Sequence, residues 1–381
     1  MIVSVARSRA GLAAIRALGR GGFEVVAADY ARPPLGLRSR WAASHLQIPP
    51  PEPGSGLAEV LEGTRAAAIL PMESPLVGFC AAHRERLRRV MGVAVPDPEG
   101  FLEAYDNRRT LAACARLGIP APRLLEPTAT DGVVVVKPRA DIGAARGVAF
   151  CRGRAEVEQA LLACRSFGVP LVQEFIPGGP EAMRTVVVLF DRRYRLVAHF
   201  TTRKLRQLPA TGGMTTMSVS TDDRALVELV LPLFATWRWE GPAEVELKID
   251  ARDGKAKLIE VNPRLPAYLP FAIRCGLHLP RLCVLVAMGE SPQAGSYAVG
   301  RTFVNPILHL RALLAGGAPM RALGRALNDM RGAYLGDGLD WVDPAPRLAK
   351  AIAKLRQHRT GSSAVDVPPC VGDVQPGGVD P

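Results

Sequence analysis

Apolar and charged residues alternate in two consecutive segments of the chain. Residues 244–250 read EVELKID and residues 259–262 read IEVN. This period of two places apolar side chains on one face of a strand and polar side chains on the other. The dipeptide Asp253-Gly254 lies between the two segments. Because glycine adopts a positive φ at little steric cost, it favours a tight turn, and the pattern predicts a β-hairpin.

The polar face of this hairpin carries three side chains with oxygen ligands. Glu246, Glu260 and Asn262 occupy alternating positions and would face one space. Oxygen ligands suit Mg²⁺, which usually takes one or two carboxylates and completes its shell with water and phosphate oxygens. A charged, solvated sheet face has the same pattern, because antiparallel sheets commonly expose one side. The sequence thus offers a candidate metal site with a plain structural alternative.

The chain opens with a pattern of strand, helix and strand. An apolar strand is followed by a helix predicted from Gly11 to Leu18 and by a strand from Glu24 to Ala28, which together form a β-α-β unit. The turn after the first strand lacks the G-x-G-x-x-G spacing of dinucleotide-binding folds. A nicotinamide cofactor is therefore not supported. We predict a first domain over residues 1–95.

The middle of the chain delivers one cation to the end of a buried strand. Four valines at 133–136 run directly into Lys137, and an uninterrupted β-branched run is typical of a buried strand. A loop at 139–147 follows, and the strand 171–173 ends in a sharp exit over 174–179. Further along, the pattern predicts a hairpin over 185–200.

The second half of the chain changes composition. A basic loop is predicted over 203–213, and residues 301–357 are mostly Ala, Leu and Arg, which indicates an appended helical segment. Residues 361–381 are rich in Gly, Pro, Ser and Asp. A segment with so few groups to bury is predicted to be disordered.

Composition and charge exclude several classes of protein. The 381 residues are 48% hydrophobic, enough for a substantial core, and they show no export leader and no apolar run of about 18 residues. We therefore expect a cytoplasmic protein without a membrane partner. The net charge is +12, with 41 arginines and only 7 lysines. Between Arg301 and Thr360 the basic residues fall at helical spacings without interleaved aromatics, so no nucleic-acid partner is expected. Seven scattered cysteines predict neither a disulfide framework nor a zinc site.

In their order along the chain, the motifs resemble the ATP-grasp superfamily. The sequence presents DNRRT at a helix start, a strand ending in Lys137, QEFIPG followed by Glu181, an E-x-E strand and finally E-x-N-P-R. The likeness covers roughly residues 1–300. The run RKLRQLPATGG at 203–213 is similar to a loop of carboxylate-amine ligases.

The resemblance implies a composite α/β architecture. This is the ATP-grasp fold with an N-terminal Rossmann-like domain and a C-terminal helical appendage. The expected divisions after residue 95 are a small subdomain with a phosphate lid, a large subdomain with the Mg-ATP site, a helical segment and a disordered tail, at 96–172, 173–300, 301–360 and 361–381.

The resemblance also implies a nucleotide site. Lys137 would contact the phosphates, and Glu181 would accept hydrogen bonds from the ribose hydroxyls. The loop 139–147, with Gly143 and Gly147, would be a mobile lid. The adenine hinge would be formed by Gln173, Glu174, Phe175 and Ile176. The plain alternatives are ordinary strand ends and a surface hairpin.

Metal and substrate roles follow from the same resemblance. Glu246, Glu260 and Asn262 would bind Mg²⁺, expected as two ions. Arg264 would stabilise charge on the transferred phosphoryl group. The carboxylate of the acid substrate would be clamped by Arg203, Lys204 and Arg206, because guanidinium groups pair bidentately with carboxylates. An exposed basic loop is the alternative for these three residues.

One position departs from the family pattern. Where the family has Asp-Lys at the start of a helix, with the lysine touching phosphate, this chain has Asp106-Asn107. Arg108 and Arg109 follow, but each step along a helix turns the side chain by about 100°. The chain therefore lacks, at this position, the lysine that the resemblance implies for a phosphate contact.

The implied activity is that of an ATP-dependent ligase. Such an enzyme activates a small-molecule carboxylate as an acylphosphate and joins it to an amine, releasing ADP and phosphate. Two alternatives stay open: other ATP-grasp phosphoryl chemistry, such as bicarbonate activation or kinase-like transfer, and a nucleotide-binding protein without catalysis. A homodimer is the expectation for a soluble enzyme of this size.

Overall fold

Three β-sheets organise the part of the chain that the structure describes. The computed structural model describes residues 2–5, 8–30, 38–127, 132–140, 146–209, 213–314, 319–336 and 342–346. The sheets have five, four and seven strands, and helices cover them. This mixture confirms the predicted composite α/β class. Among the described helices, none is both long enough and apolar enough to cross a membrane.

The N-terminal sheet is parallel, with the strand order β3-β2-β1-β4-β5. Its strands are β1 (Ile2–Val5), β2 (Val25–Asp29), β3 (Ser44–Gln47), β4 (Ala68–Leu70) and β5 (Gly92–Val93). Its helices are α1 (Arg9–Arg20), α2 (Leu57–Gly63), α3 (Ser74–Ala82) and α4 (Arg84–Leu87). All five residues of β2 are buried, as expected of a parallel strand that helices cover on both faces.

The four-stranded sheet is antiparallel, with the order β6-β9-β7-β8. Its strands are β6 (Leu124–Leu125), β7 (Val133–Pro138), β8 (Ala149–Arg152) and β9 (Pro170–Glu174). Helix α7 (Arg154–Cys164) packs on this sheet, whereas α5 (Pro98–Tyr105) and α6 (Asn107–Leu117) pack in the core of the seven-stranded sheet. Val134 and Val136 pack with Val157 of α7 in one core. Strand β9 extends to Glu174, two residues past the predicted division at 172/173.

The seven-stranded sheet has the order β14-β13-β10-β11-β12-β15-β16. Its strands are β10 (Met183–Phe190), β11 (Leu196–Leu208), β12 (Met214–Thr221), β13 (Gly241–Ile249), β14 (Ala256–Asn262), β15 (Thr302–Val304) and β16 (Tyr334–Leu335). The helices are α8 (Arg224–Thr236), α9 (Leu269–Arg274), α10 (Leu279–Ala287), α11 (Pro306–Leu314) and α12 (Pro319–Met330).

The C-terminal segment is more than a helical appendage. Strands β15 and β16 fall within the predicted helical range 301–360 and extend the seven-stranded sheet. Helices α11 and α12 lie between these two strands in the sequence. The alternation that marks a strand is too short to read in segments of three and two residues. The predicted disordered tail, 361–381, lies outside the described residues.

The predicted hairpin is confirmed as β13 and β14. The two strands pair antiparallel, with Glu244 opposite Asn262 and Glu246 opposite Glu260. The connection is a six-residue loop rather than a tight turn, and Gly254 within it has a φ of 70°. Hydrogen bonds from Arg252 hold the buried carboxyl of Asp250 and lower its pKa to about 2.

A β-bulge changes the predicted face of one residue in this hairpin. The register shifts after Glu246, so that Leu247 pairs with Leu258 and Ile259 is the extra residue. Leu258 and Val261 are therefore the core residues of β14, whereas Ile259 lines the cleft described below. The alternation predicted Ile259 and Val261 on one face of this strand and Glu260 and Asn262 on the other. That prediction was wrong for Ile259, because a bulge breaks the period of two.

The hairpin is anchored against the N-terminal unit by a close backbone approach. Gly241, the first residue of β13, has a φ of 88°. A Cβ atom built there would lie 2.4 Å from the carbonyl oxygen of Ala94. Arg88 of the N-terminal unit also pairs with the buried Glu240 carboxylate. The start of β13 is thus fixed relative to the parallel sheet.

Substitution of Gly241 tests this anchor. Gly241→Ala and Gly254→Ala both place a side chain at positive φ, but a Cβ at Gly254 meets nothing within 4 Å. We therefore expect Gly241→Ala to lower the free energy of unfolding by about 1 to 3 kcal/mol more than Gly254→Ala, because only the former overpacks. Urea unfolding measures both, and equal losses would contradict the proposed contact.

Candidate functional site

A cleft of about 320 Å³ opens between the four-stranded and the seven-stranded sheets. Strands β7 and β9 contribute to one wall, and β11, β13 and β14 contribute to the other. The predicted site residues that line it are Lys137, Gln173, Glu174, Phe175, Ile176, Glu246, Glu260, Asn262 and Arg264. Within the described chain, Glu181, Arg203 and Arg206 are predicted site residues that do not line this cleft.

Two carboxylates of the cleft face each other across neighbouring strands. Glu246 and Glu260 are direct cross-strand partners, and like charges in that position repel each other. Each carboxylate has a lysine close by: Lys204 Nζ lies 3.6 Å from Glu246 Oε2, and Lys137 Nζ lies 3.8 Å from Glu260 Oε2. The lysines come from different sheets. Lys204 is 7% exposed and Lys137 is 5% exposed, and this burial strengthens both pairs.

Lys137 is held by neutral acceptors as well. Its ammonium donates to Asn107 Oδ1 at 2.9 Å and to the carbonyl oxygen of Ile259 at 3.2 Å. Ile259 is the residue that the bulge adds to β14. The bulge therefore contributes a contact that joins the small sheet to the large one.

A second charged group lies at the end of β14. Arg264 Nη1 donates to Glu244 Oε2 and to the carbonyl oxygen of Leu265, both at 3.2 Å, and Asn262 Nδ2 donates to Glu260 Oε1 at 3.3 Å. Arg264 is thus oriented by a buried carboxylate. It lies beside the predicted metal ligands, where a fixed guanidinium can meet negative charge.

The oxygen atoms of this face suit a hard divalent cation. Glu246, Glu260 and Asn262 offer carboxylate and amide oxygens, the ligand types that Mg²⁺ takes. In the described part of the chain, no group of three or more His, Cys, Asp or Glu side chains is arranged to hold a metal ion. Two carboxylates and an amide would leave coordination positions for phosphate oxygens and water, as is usual for Mg²⁺.

The hinge end of the cleft is lined by aromatic and amide groups. Phe175 meets Phe150 edge to face at 5.8 Å, and Lys248 Nζ lies 5.0 Å from the centroid of the Phe175 ring. Burial, followed by the charge of Lys204, lowers the pKa of Lys248. Gln173 is 3% exposed and its Oε1 has no hydrogen-bond partner among the described residues. A buried amide oxygen of this kind favours a ligand that donates a hydrogen bond.

Of the two acidic residues predicted at the nucleotide site, Glu174 forms ion pairs with arginines and Glu181 does not line the cleft. Glu174 pairs with Arg252 at 2.8 Å and with Arg123 at 3.3 Å. Burial opposes its ionisation, but hydrogen bonds from these arginines outweigh that effect and lower the pKa of Glu174. Glu181 is exposed and does not line the cleft, so the structure does not bring the predicted ribose contact to the site.

The predicted arginine clamp is not assembled in the cleft. Strand β11 continues to Leu208 where a loop was predicted, and its alternation turns Lys204 inward and leaves Arg203 exposed. Arg206 Nη1 instead donates to Asp329 Oδ2 at 3.0 Å and contacts His309 Nε2 at 3.2 Å. Lys204 is therefore the member of this basic run that reaches the carboxylates.

Comparison with solved structures identifies the architecture. No protein-family model and no curated protein sequence matches the chain. The biotin carboxylase domain of Hydrogenobacter thermophilus 2-oxoglutarate carboxylase is 19% identical with a TM-score of 0.61, over 79% of this chain and 73% of that one. The chain has the ATP-grasp fold.

Two other ATP-grasp structures agree with this assignment. An L-amino acid ligase from Bacillus licheniformis is 16% identical with a TM-score of 0.61, over 79% of this chain and 78% of that one. The N5-carboxyaminoimidazole synthetase from Staphylococcus aureus is 12% identical with a TM-score of 0.64, over 79% and 80% of the two chains. At these identities the likeness establishes the fold and leaves the reaction to be argued from the site.

The cleft also contains residues that the sequence patterns did not single out. Arg9, at the start of α1, lines it together with Gln207, Tyr268, Phe303 and Asn305. Burial raises the pKa of Tyr268, which keeps its phenol neutral. Gln207 shares the cleft with Lys204 because register shifts between these two residues break the period of two along β11, so alternation alone does not mark it. Arg9 and Asn305 come from distant parts of the chain, and no local pattern marks them.

The predicted lid is only partly described. Residues 141–145, which include Gly143, lie outside the described residues. Arg146 lines the cleft, and Gly147 has a φ of 71° beside Phe167 and Pro138. The lid function of this loop stays a prediction.

The ion pair of Arg206 leads to a prediction about stability. The Arg206, Asp329 and His309 side chains connect β11 to helices α11 and α12, and the burial of His309 lowers its pKa. Arg206→Ala is expected to cost about 1.5 to 3 kcal/mol, the value of a hydrogen bond between charged groups. The double variant with Asp329→Ala should be no less stable than the worse single variant.

Thermal unfolding of the single and double variants measures this coupling. Arg203→Ala is the matched control, because the exposed Arg203 lies three residues away on the same strand. If the losses of stability from Arg206→Ala and Asp329→Ala were additive in the double variant, that result would contradict the ion pair between these two residues.

Proposed function

We propose that this protein is an ADP-forming ligase that uses ATP to activate a carboxylate and joins it to an amine. One observation carries the proposal: Glu246 and Glu260 oppose each other in a cleft, and a buried lysine accompanies each carboxylate. Carboxylates next to well-placed cations suit a metal-bound triphosphate, whose transfer depends mainly on positioning and neutralisation of charge.

The roles of the site residues follow from their positions. Glu246, Glu260 and Asn262 would hold Mg²⁺, which when bound would neutralise the phosphate oxygens. Lys137 would bind the phosphates, and the hinge from Gln173 to Ile176 would receive the adenine. Lys204 would take the place of the predicted arginine clamp beside the transferred group, because it is the cation of its strand that reaches Glu246.

The proposed chemistry has two steps. A carboxylate oxygen of the acid attacks the γ-phosphorus of ATP, and the bond to the bridging oxygen breaks to give an acylphosphate and ADP. The amine nitrogen then attacks the acyl carbon, phosphate leaves, and the nitrogen loses a proton. Arg264 would stabilise the charge that develops on the phosphoryl oxygens in the first step. No protein nucleophile is required.

The similar structures support this class of reaction. One was crystallised with MgADP, ADP and bicarbonate, and another is an L-amino acid ligase. The acid and the amine of the present protein are small molecules in the proposal. Bicarbonate activation is the second candidate, because the biotin carboxylase domain named above was crystallised with bicarbonate. The cytoplasmic location and the homodimer stay predictions.

A phosphate-release screen tests the proposal. Purified protein is incubated with ATP and Mg²⁺ against a matrix of carboxylic acids and amines, with bicarbonate as a separate acid. A ligase should release ADP and phosphate in equal amounts only where both an acid and an amine are present. Release with bicarbonate alone would favour the second candidate, and ATP binding without release across the matrix would contradict catalysis.

Glu260→Ala provides the matched variant for the active combination. Loss of this carboxylate should lower the rate of ADP release by at least ~100-fold, because it removes a group that organises charge in the transition state. Glu228→Ala is the control, since Glu228 is exposed on α8. Near-normal turnover in Glu260→Ala would overturn the metal assignment.

A further inference from the structure

Asn107 occupies the cleft at the position where the sequence departs from the ATP-grasp pattern. It is the first residue of α6, is 5% exposed and lines the cleft. The two cations that follow it do not replace the missing lysine. Arg108 is exposed, and Arg109 pairs with Glu99 and Glu103 on α5.

The contacts of Asn107 fix the orientation of its carboxamide. Nδ2 donates to the carbonyl oxygen of Arg139 at 2.8 Å, and Oδ1 accepts from Lys137 Nζ at 2.9 Å. The reversed amide would set its NH₂ against an ammonium and its oxygen against a carbonyl, pairing donor with donor and acceptor with acceptor. The Asn107 oxygen is therefore directed at Lys137.

The backbone around Asn107 is tied to the end of the same strand. Its own N–H donates to the Arg139 carbonyl oxygen at 2.7 Å. Asp106 caps α6 through Arg108 N–H, bridges to Ala140 and pairs with the Arg139 guanidinium. Asn107 is thus a rigid support for Lys137, because helix α6 and the end of β7 hold it from both sides.

Charge balance explains why a lysine would be unfavourable at this position. Glu246 and Glu260 are each accompanied by a buried lysine, and Lys137 already lies 3.8 Å from Glu260. A second ammonium at residue 107 would approach Lys137 in a buried place, where like charges and lost solvation both disfavour the charged form. A neutral amide supplies an acceptor without adding charge.

We propose that Asn107 is a positioning residue that holds the Lys137 ammonium in place for the nucleotide phosphates. The proposal rests on the proposed use of ATP. It assigns to Asn107 a role that acts through Lys137, rather than a phosphate contact of its own. In this proposal Asn107 compensates for the missing lysine by holding Lys137 in place, and its presence does not indicate a loss of activity.

A double-mutant cycle on MgATP binding tests the proposal. Calorimetry without acid or amine compares wild type, Asn107→Leu, Lys137→Ala and the double variant. Asn107→Leu keeps the size of the side chain and should weaken binding about tenfold, as loss of one hydrogen bond to a charged group does. If Asn107 acts through Lys137, the double variant should bind no more weakly than Lys137→Ala. Additive losses would overturn the proposal.

Asn107→Lys provides an independent test that does not need the leucine variant to fold. The added ammonium should weaken MgATP binding at least tenfold by displacing Lys137. Tighter binding would overturn the proposal and would indicate that Asn107 is a degraded phosphate contact. Arg108→Ala is the control and should bind like wild type, because Arg108 is exposed and does not line the cleft.

The two proposals fail in different ways. A wild-type protein that does not bind MgATP would overturn the proposed function and this inference together. A wild type that binds MgATP while the cycle is additive would overturn the role of Asn107 alone.

Discussion

The repulsion between Glu246 and Glu260 is the constraint on which the site depends. The two carboxylates are cross-strand partners, and such a pair is unfavourable without nearby positive charge. Lys137 and Lys204 supply that charge from two different sheets. In the proposed function, a metal bound to phosphate oxygens would accept the remaining carboxylate lone pairs and relieve the same repulsion.

The surrounding structure holds these four charged side chains in place. A bulge in β14 brings the Ile259 carbonyl to Lys137, and Asn107 holds the ammonium from the other side. The close approach of Gly241 to Ala94 fixes the beginning of β13 against the N-terminal unit. Residues that are far apart in the sequence therefore contact the same lysine, Lys137, or the same hairpin, β13 and β14.

Residue patterns predicted the elements of the site better than its details. The alternation over 244–250 was enough to predict the hairpin and the shared space of its polar side chains, because register follows from a period of two. The bulge at Ile259 breaks that period, and the local sequence does not indicate it. The cationic run at 203–206 was predicted to be a loop, because its sequence does not show that Lys204 is buried. The burial of Lys204 depends on Glu246, which lies two strands away in the sheet. A buried charge is fixed by its partner, which only the fold can supply.

The most direct test of this account is a crystal structure with a non-hydrolysable ATP analogue and Mn²⁺ in place of Mg²⁺. The account predicts an anomalous difference peak between the carboxylates of Glu246 and Glu260, with the phosphates beside Lys137 and the adenine at the hinge. A nucleotide bound outside the cleft, or a metal peak away from both carboxylates, would contradict it.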